Sequence, residues 1–271
     1  MKVSPVGSYD EYRSIVKGKK LINNGFLPNE IKNYILRKRL FFSYKENLLF
    51  LFYDEANYYQ LVCESIGREE TPFSVSFELA KPVVCHIVDN NKNNQISSIM
   101  SILRASGFLL RCTIHEYVLD DLVSVPSADN KAFILSGDIK NLSECQNILS
   151  LWQDNLPLYE ITYMIPEDIL DLAEKNKVLC LKDSHTGQLA GACYYDVFLG
   201  TTTIHHIVIN PTFRGRGCAG ILLTAWLKQA GQSGAKTARS WIEDTNNSSQ
   251  KSFSKIGFVK TSNVSYQFIK I

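Results

Sequence analysis

The chain has 271 residues, 45% of them hydrophobic, which is enough for one large domain or two of ordinary size with real apolar cores. Its 29 basic residues nearly balance 27 acidic ones and no block of like charge stands out, which argues against a nucleic-acid footprint and a polybasic membrane patch. The seven cysteines stand singly with no C-x-x-C pair, so neither a disulfide framework nor a metal site is expected.

The opening stretch MKVSPVGSYDEYRSIVKG lacks the apolar centre of a secretory leader, and the greasiest run, NLLFLFY, is too short to cross a bilayer. A cytoplasmic protein without membrane contact is the expectation. Helices are expected at 8–17 and 28–38, followed by the strands LFLFY (49–53) and YYQLVCES (58–65). Then come the strand PVVCHIVD (82–89), a helix over 93–108 and the strand LLRCTIHEYVL (109–119). LDDLVSVPSADNK, residues 119–131, gathers Pro, Ser, Asp and Asn and reads as a linker between a domain at 1–124 and one at 131–271.

The second half opens with the short strand AFILSGD. A helix follows in which Leu142, Cys145, Ile148, Leu149 and Trp152 share one face, then a second helix opened by Pro166. VLCLK, LAGACYYDVF and TTTIHHIVI form an antiparallel meander. NPTFRGRGCAG (210–220) follows, and ILLTAWLKQAG has helical spacing up to Gly231. AKTARSWI is a strand, NNSSQKSFSKIGF a helix capped by Asn246 and closed by Gly257, and SNVSYQFIKI the last strand. The first half repeats this plan in worn form, and residues 66–82 hold only Gly67 where a glycine-rich turn would stand. The fold class is therefore α/β of the α+β kind, a mixed and mostly antiparallel sheet flanked by helices, in two tandem halves.

The glycine-rich turn is where the chemistry concentrates. A helix N-terminus leaves backbone N–H groups unpaired and carries about half a positive charge, so it attracts phosphate. Gly215, Gly217, Ala219 and Gly220 keep the approach to those groups clear, and Arg214 and Arg216 can add charge-assisted contacts. No G-x-x-x-x-G-K-[ST] occurs and the turn follows a meander, not the first strand of a βαβ unit, which excludes a P-loop and a dinucleotide fingerprint.

IVINPTFRGRGCAGILL resembles the acyl-coenzyme A motif R-x-x-G-x-G/A of the GNAT superfamily of N-acetyltransferases, with Arg214, Gly217 and Ala219 in the defining places. NNSSQKSFSKIGF is similar to that family's N-x-x-A-x-x-x-Y-x-x-x-G-F helix through Asn246, Phe253, Gly257 and Phe258. The two-domain layout resembles the glycine N-acyltransferase-like branch.

The resemblance implies an acetyl-coenzyme A dependent enzyme acting on an amine of a small molecule, amino acid or peptide. It places the diphosphate on the amides of Arg216, Gly217, Cys218, Ala219 and Gly220, next to Gly215. It implies that Ile207, Val208 and Ile209 pair with the pantetheine arm, that the Ile209 N–H steadies the oxyanion, and that Asn246 holds the arm from the other side.

His205 or His206, with Glu243 and Asp244 as rivals, are the candidate bases, and only one histidine is expected to face the site because neighbouring strand residues point opposite ways. Phe253 stands where the family places a tyrosine acid and is counted with Asn246 among the cofactor-binding residues, so Ser249 or a water would have to substitute as the acid. Cys218 either has a lowered pKa at the helix start or points into the sheet. The competing readings are a coenzyme A binding protein without turnover and a scaffold that binds no cofactor.

Overall fold

The computed structural model describes residues 3–22, 28–45, 48–55, 57–64, 74, 79–89, 96–122, 132–137, 139–157, 159 and 163–271. Residues 124 and 131, where the linker reading cuts the chain, lie outside these. In chain order the elements of the first half are β1 (Ser4–Pro5), α1 (Tyr9–Ile15), β2 (Leu21–Ile22), α2 (Pro28–Leu36), β3 (Leu40–Lys45), β4 (Leu48–Asp54), β5 (Tyr59–Glu64), β6 (Val83–Asp89), α3 (Ile96–Ala105) and β7 (Leu109–Leu119). The second half holds β8 (Phe133–Ser136), α4 (Leu142–Asn155), α5 (Pro166–Glu174), β9 (Val178–Asp183), β10 (Leu189–Phe198), β11 (Thr201–Ile209), α6 (Cys218–Gln232), β12 (Thr237–Glu243), α7 (Asn247–Lys255) and β13 (Val259–Lys270).

Contacts divide the chain into two compact units, Met1–Ile114 with Ser262–Ile271, and His115–Thr261. The divisions fall inside β7 and β13, two long strands whose ends make their contacts in different units. In the first unit β3, β4 and β5 pair antiparallel, β5 pairs parallel with β6, and β6 pairs antiparallel with β13.

β4 reads LLFLFYD without a polar residue before Asp54 because both of its faces are covered. Leu48, Phe50 and Phe52 meet Ile96, Ile99, Ile102 and Leu103 of α3, whereas Leu49, Leu51 and Tyr53 meet Tyr12, Ile31 and Ile35 of α1 and α2. The short strands β1, β2 and β3 have no counterpart in the sequence reading. β3 has no clean alternation of buried and exposed residues and is bracketed by Arg37, Lys38, Arg39 and Lys45, so its pattern does not announce a strand.

In the second unit β8, β9, β10 and β11 pair antiparallel in that order, and β11 pairs parallel with β12 through the crossover helix α6. Two cores cover the sheet. Leu222, Leu223, Trp226 and Leu227 of α6 pack with Tyr195, Ile204, Phe253 and Phe258 on one face. Cys145, Ile148, Leu149 and Trp152 of α4 and Ile169 and Ala173 of α5 pack with Val178, Cys180, Ala192 and Val208 on the other.

α6 is pinned to the sheet by a buried polar chain, in which Trp226 Nε1 donates to Thr202 Oγ1 at 2.9 Å and that hydroxyl donates to the Asp196 carbonyl at 2.7 Å. Each link satisfies a group whose burial unpaired would cost about 1–3 kcal/mol. At Gly191 in β10 an added Cβ would lie 2.8 Å from Ile209 Cδ1 and 2.9 Å from the Val208 carbonyl, so only glycine lets β10 and β11 close here. No helix among the described residues is long and apolar enough to cross a membrane.

Candidate functional site

β11 ends at Ile209, and Asn210 makes the turn that follows. Its N–H donates to the Ala190 carbonyl at 2.9 Å, and its Oδ1 accepts from the Thr212 N–H at 3.2 Å and hydroxyl at 2.9 Å. One 3-10 turn, Pro211–Phe213, buries the Phe213 ring edge-on to Phe133, and the Arg216 guanidinium lies 5.2 Å above it. Arg214 turns back into the protein, its Nε donating to the Ile209 carbonyl at 3.3 Å and its Nη2 to Asn155 Oδ1 at 3.2 Å.

Gly215 (φ 78°) and Gly217 (φ 82°) are both left-handed, a conformation that costs a residue with a side chain about 1–2 kcal/mol, and Gly217 opens α6. The first intrahelical bond of α6 is that of the Ile221 N–H to the Gly217 carbonyl at 3.2 Å. Among the described residues no acceptor is met by the backbone N–H groups of Gly215, Arg216, Gly217, Ala219 and Gly220, and the Cys218 N–H meets only its own sulfur. Gly215, Arg216 and Gly217 are exposed, and Ala219 and Gly220 are half-buried. A Cβ added at Gly215, Gly217 or Gly220 would meet no protein atom within 4 Å, so the space on the side-chain side of these glycines is open.

Cys218 takes the second of its two expected courses. Its Sγ is buried 3.6 Å from the Phe213 carbonyl, and burial pushes the thiol up although the Cys218 amide and Arg216 pull the other way.

β11 also offers an open backbone edge. It pairs with β10 along its length, but with β12 only where Thr201, Thr202 and Thr203 meet Thr237, Ala238 and Arg239. Groups on a strand alternate between its two edges, and the Asn210 N–H and Val208 belong to the edge facing β10. The N–H groups of Ile207 and Ile209 therefore face the opening beside β12, and the Arg214 bond to the Ile209 carbonyl lies on that same side. Of the three residues read as the pairing edge, Val208 alone turns its backbone inward, and its side chain joins the core under α4.

The pairing of β10 with β11 slips between Tyr194 and Tyr195, and His205 is the extra residue of a bulge. The bulge overturns the rule that only one of two adjacent histidines faces a given side. Both rings meet Tyr194, His205 stacked at 4.9 Å and 15°, His206 edge-on at 5.0 Å.

The His205 side chain is 36% exposed, and its Nε2 lies 3.1 Å from Asp196 Oδ2. Burial pushes the Asp196 carboxyl up, but the hydrogen bond and charge of His205, with smaller help from Lys177 and the Thr203 N–H, outweigh it and leave it below the usual range. His206 is buried against Trp152 at 5.7 Å, and burial lowers its pKa to about 3. Its Nδ1 lies 2.9 Å from the His205 carbonyl and so carries the hydrogen, while its Nε2 has no partner among the described residues. His206 is thus a neutral imidazole that cannot serve as a base near neutrality.

At the end of β12 the rivals separate. Asp244 is paired with His115 Nε2 at 2.8 Å and lies 3.7 Å from Lys260, whereas the Glu243 side chain is half-buried. Asn246 caps α7, its Oδ1 accepting from the Ser249 N–H at 3.0 Å, and Ser249 is half-buried in the first turn. Phe253 is closed off in the core, edge-on to Phe258 at 5.0 Å.

Asp196, Tyr194 and Trp152 complete the cluster around the histidines. Asp196 follows Tyr194 by two in a strand, and that period of two was the one available signal for it.

Residues 145–258 match the profile of the acetyltransferase (GNAT) family. No curated protein matches the chain. Among solved structures the chain is similar to a tandem GNAT protein from the clavulanic acid biosynthesis pathway, at 10% identity and a TM-score of 0.62 over 99% of this chain and 98% of that one. It is also similar to a GCN5-related N-acetyltransferase from Sphaerobacter thermophilus (11% identity, TM-score 0.59, 91% and 87% covered). A Drosophila protein from a structural genomics effort is similar as well (15% identity, TM-score 0.59, 86% and 78% covered). At such identities the likeness is one of fold, and it extends the tandem architecture over both units.

Proposed function

Because residues 145–258 match the acetyltransferase (GNAT) family, we propose that the chain is an N-acetyltransferase. In this reading it moves an acetyl group from acetyl-coenzyme A to a primary amine of a small molecule, amino acid or peptide, by direct attack within a ternary complex. The machinery belongs to the second unit, and the first, which by sequence lacks the glycine turn, is a copy without a cradle. The reading rests above all on the five unclaimed amides between Gly215 and Gly220, beside open space at the head of a 15-residue helix. Each exposed contact of this kind contributes about 0.3–1 kcal/mol, so a diphosphate spanning several of them gains cumulatively.

Acetyl-coenzyme A, when bound, supplies an acetyl group activated as a thioester. The amides of Arg216 to Gly220 hold its diphosphate, and Arg216 adds charge from the rim. The open edge of β11 pairs with the extended arm through Ile207 and Ile209, and the Ile209 N–H steadies the carbonyl oxygen. Asn246 holds the far side with the amide nitrogen that capping leaves free.

An alkylamine with a pKa near 10.4 is mostly protonated at pH 7, a handicap of roughly 4–5 kcal/mol, so a base is needed. His205 fills that role, being half-exposed on the bulge, whereas His206 is locked neutral and Asp244 is already paired. The amine nitrogen forms the C–N bond as the C–S bond breaks, and its proton passes to His205. A thiol of pKa about 8.5 leaves with little assistance, so Phe253 in place of an acid is tolerable and Ser249 or water suffices.

The same Phe253, closed into the core, favours a second reading, a coenzyme A binding protein that has lost turnover. A thermal shift with acetyl-coenzyme A followed by a thiol-release assay over a panel of amines separates the two. The transferase reading requires both stabilisation and release. Stabilisation with no release from any amine leaves the silent binder, and no stabilisation at all defeats both.

A further inference from the structure

The pair on the bulge has a geometry that says more than that a histidine is present. We propose that Asp196 is a positioning residue that holds His205 as its Nε2–H tautomer, leaving Nδ1 as the nitrogen that takes the proton. Asp196 sits on β10 opposite Thr203, and its side chain is three-quarters buried. Its Oδ2 is 3.1 Å from His205 Nε2, and burial in the strand leaves the carboxylate little room to turn away before any ligand arrives.

The His205 ring has little freedom left. Tyr194 covers one face at 4.9 Å, and His206 Nδ1–H donates to the His205 carbonyl at 2.9 Å, tying down the bulge itself. An imidazole whose Nε2–H is bound to a carboxylate must offer its lone pair at Nδ1. When Nδ1 gains the proton from the amine, the ring becomes a cation beside an ionised carboxylate that does not itself take up the proton. The titratable groups that face the pair are Tyr194 from β10 and His206 on the same strand, with Lys177 acting on Asp196 from the turn before β9.

The proposal rests on the transferase reading for what Nδ1 does, but its test does not depend on turnover. Nitrogen-15 imidazole spectra of the full chain without ligand are recorded for the wild type, Asp196→Asn and Asp196→Glu, with His205→Gln to assign the resonance. In the wild type His205 shows the Nε2–H tautomer. In Asp196→Asn, whose amide can donate to Nε2 as well as accept from it, the Nε2–H form loses its dominance and an Nδ1–H signal appears, and Asp196→Glu restores the Nε2–H form.

An Nδ1–H tautomer in the wild type, or an Nε2–H form that stays unchanged in Asp196→Asn, overturns the proposal. If no amine gives thiol release, the transferase reading falls and the spectra alone decide the tautomer.

Discussion

The two units share one strand arrangement and differ in what is attached to it. In the first, β5 runs parallel to β6 and pairs with it at three positions, Tyr59–Leu61 against Val83–Cys85. In the second, β11 does the same with β12, Thr201–Thr203 against Thr237–Arg239. A short parallel contact is therefore a property of the fold and carries no chemistry by itself.

The differences are local. β5 pairs with β4 in unbroken register from Phe50–Cys63 to Asp54–Tyr59, whereas β10 and β11 slip at His205. β4 has no glycine, whereas β10 has Gly191 under the end of β11. The chain after β5 holds one glycine before residue 83, whereas the chain after β11 delivers Gly215, Gly217 and Gly220. A scaffold of one kind can thus be a bare sheet in one copy and a candidate site in the other, through a bulge, a close approach and a turn.

The sharpest way to break this contrast is to remove the base. His205→Gln lowers turnover about 10²–10⁴-fold while leaving the thermal shift with acetyl-coenzyme A unchanged, and His86→Gln in β6 of the first unit leaves turnover alone. A loss of threefold or less in the His205 variant would place the base elsewhere. Next comes the cradle. Ala219→Val crowds the amides and weakens acetyl-coenzyme A binding tenfold or more by calorimetry, and equal affinity would mean that the phosphates lie elsewhere.

Gly191→Ala then tests the close approach. A Cβ 2.9 Å from the Val208 carbonyl cannot be relieved by a side-chain swing, so the variant loses about 1–3 kcal/mol in denaturant unfolding.

A comparable effect on stability, seen only in acid, is the response of His206. Its folded pKa of about 3 lies below the unfolded value of 6.5, so its contribution is fully present above pH 6.5 and fades as the pH falls towards 3. The slope is about 1.4 kcal/mol per pH unit, and His206→Phe removes it from a stability profile taken between pH 7 and 4.5. In the first unit burial, helped by Arg111, lowers His86 to about 4, so His86→Phe should remove a smaller part of the same acid loss.

Most of the second unit was legible in the sequence because its signals are strong and independent. The β-branched run TTTIHHIVI, the glycine-rich turn and the apolar spacing of α6 each point to their element, and Asn246 caps α7 as its position before NSSQ suggests. α6 begins three residues earlier than its apolar spacing, because Cys218, Ala219 and Gly220 take helical conformation behind a left-handed Gly217.

The bulge was not legible. Nothing in IHHIV distinguishes a strand that alternates from one that slips by a residue, since the slip is decided by β10 across the ladder. The Asp196–His205 contact depends on that slip and was hidden with it. In the first unit β3 was missed because tertiary packing, not its own pattern, holds it beside β4.

The account stands or falls on where a diphosphate sits. The most direct measurement is a crystal structure of the chain with acetyl-coenzyme A bound. The account predicts diphosphate oxygens within hydrogen-bonding distance of the backbone N–H groups of Arg216 to Gly220, with the arm running along Ile207 and Ile209. Ligand density away from that turn, with those N–H groups turned to solvent or to the protein, would contradict it.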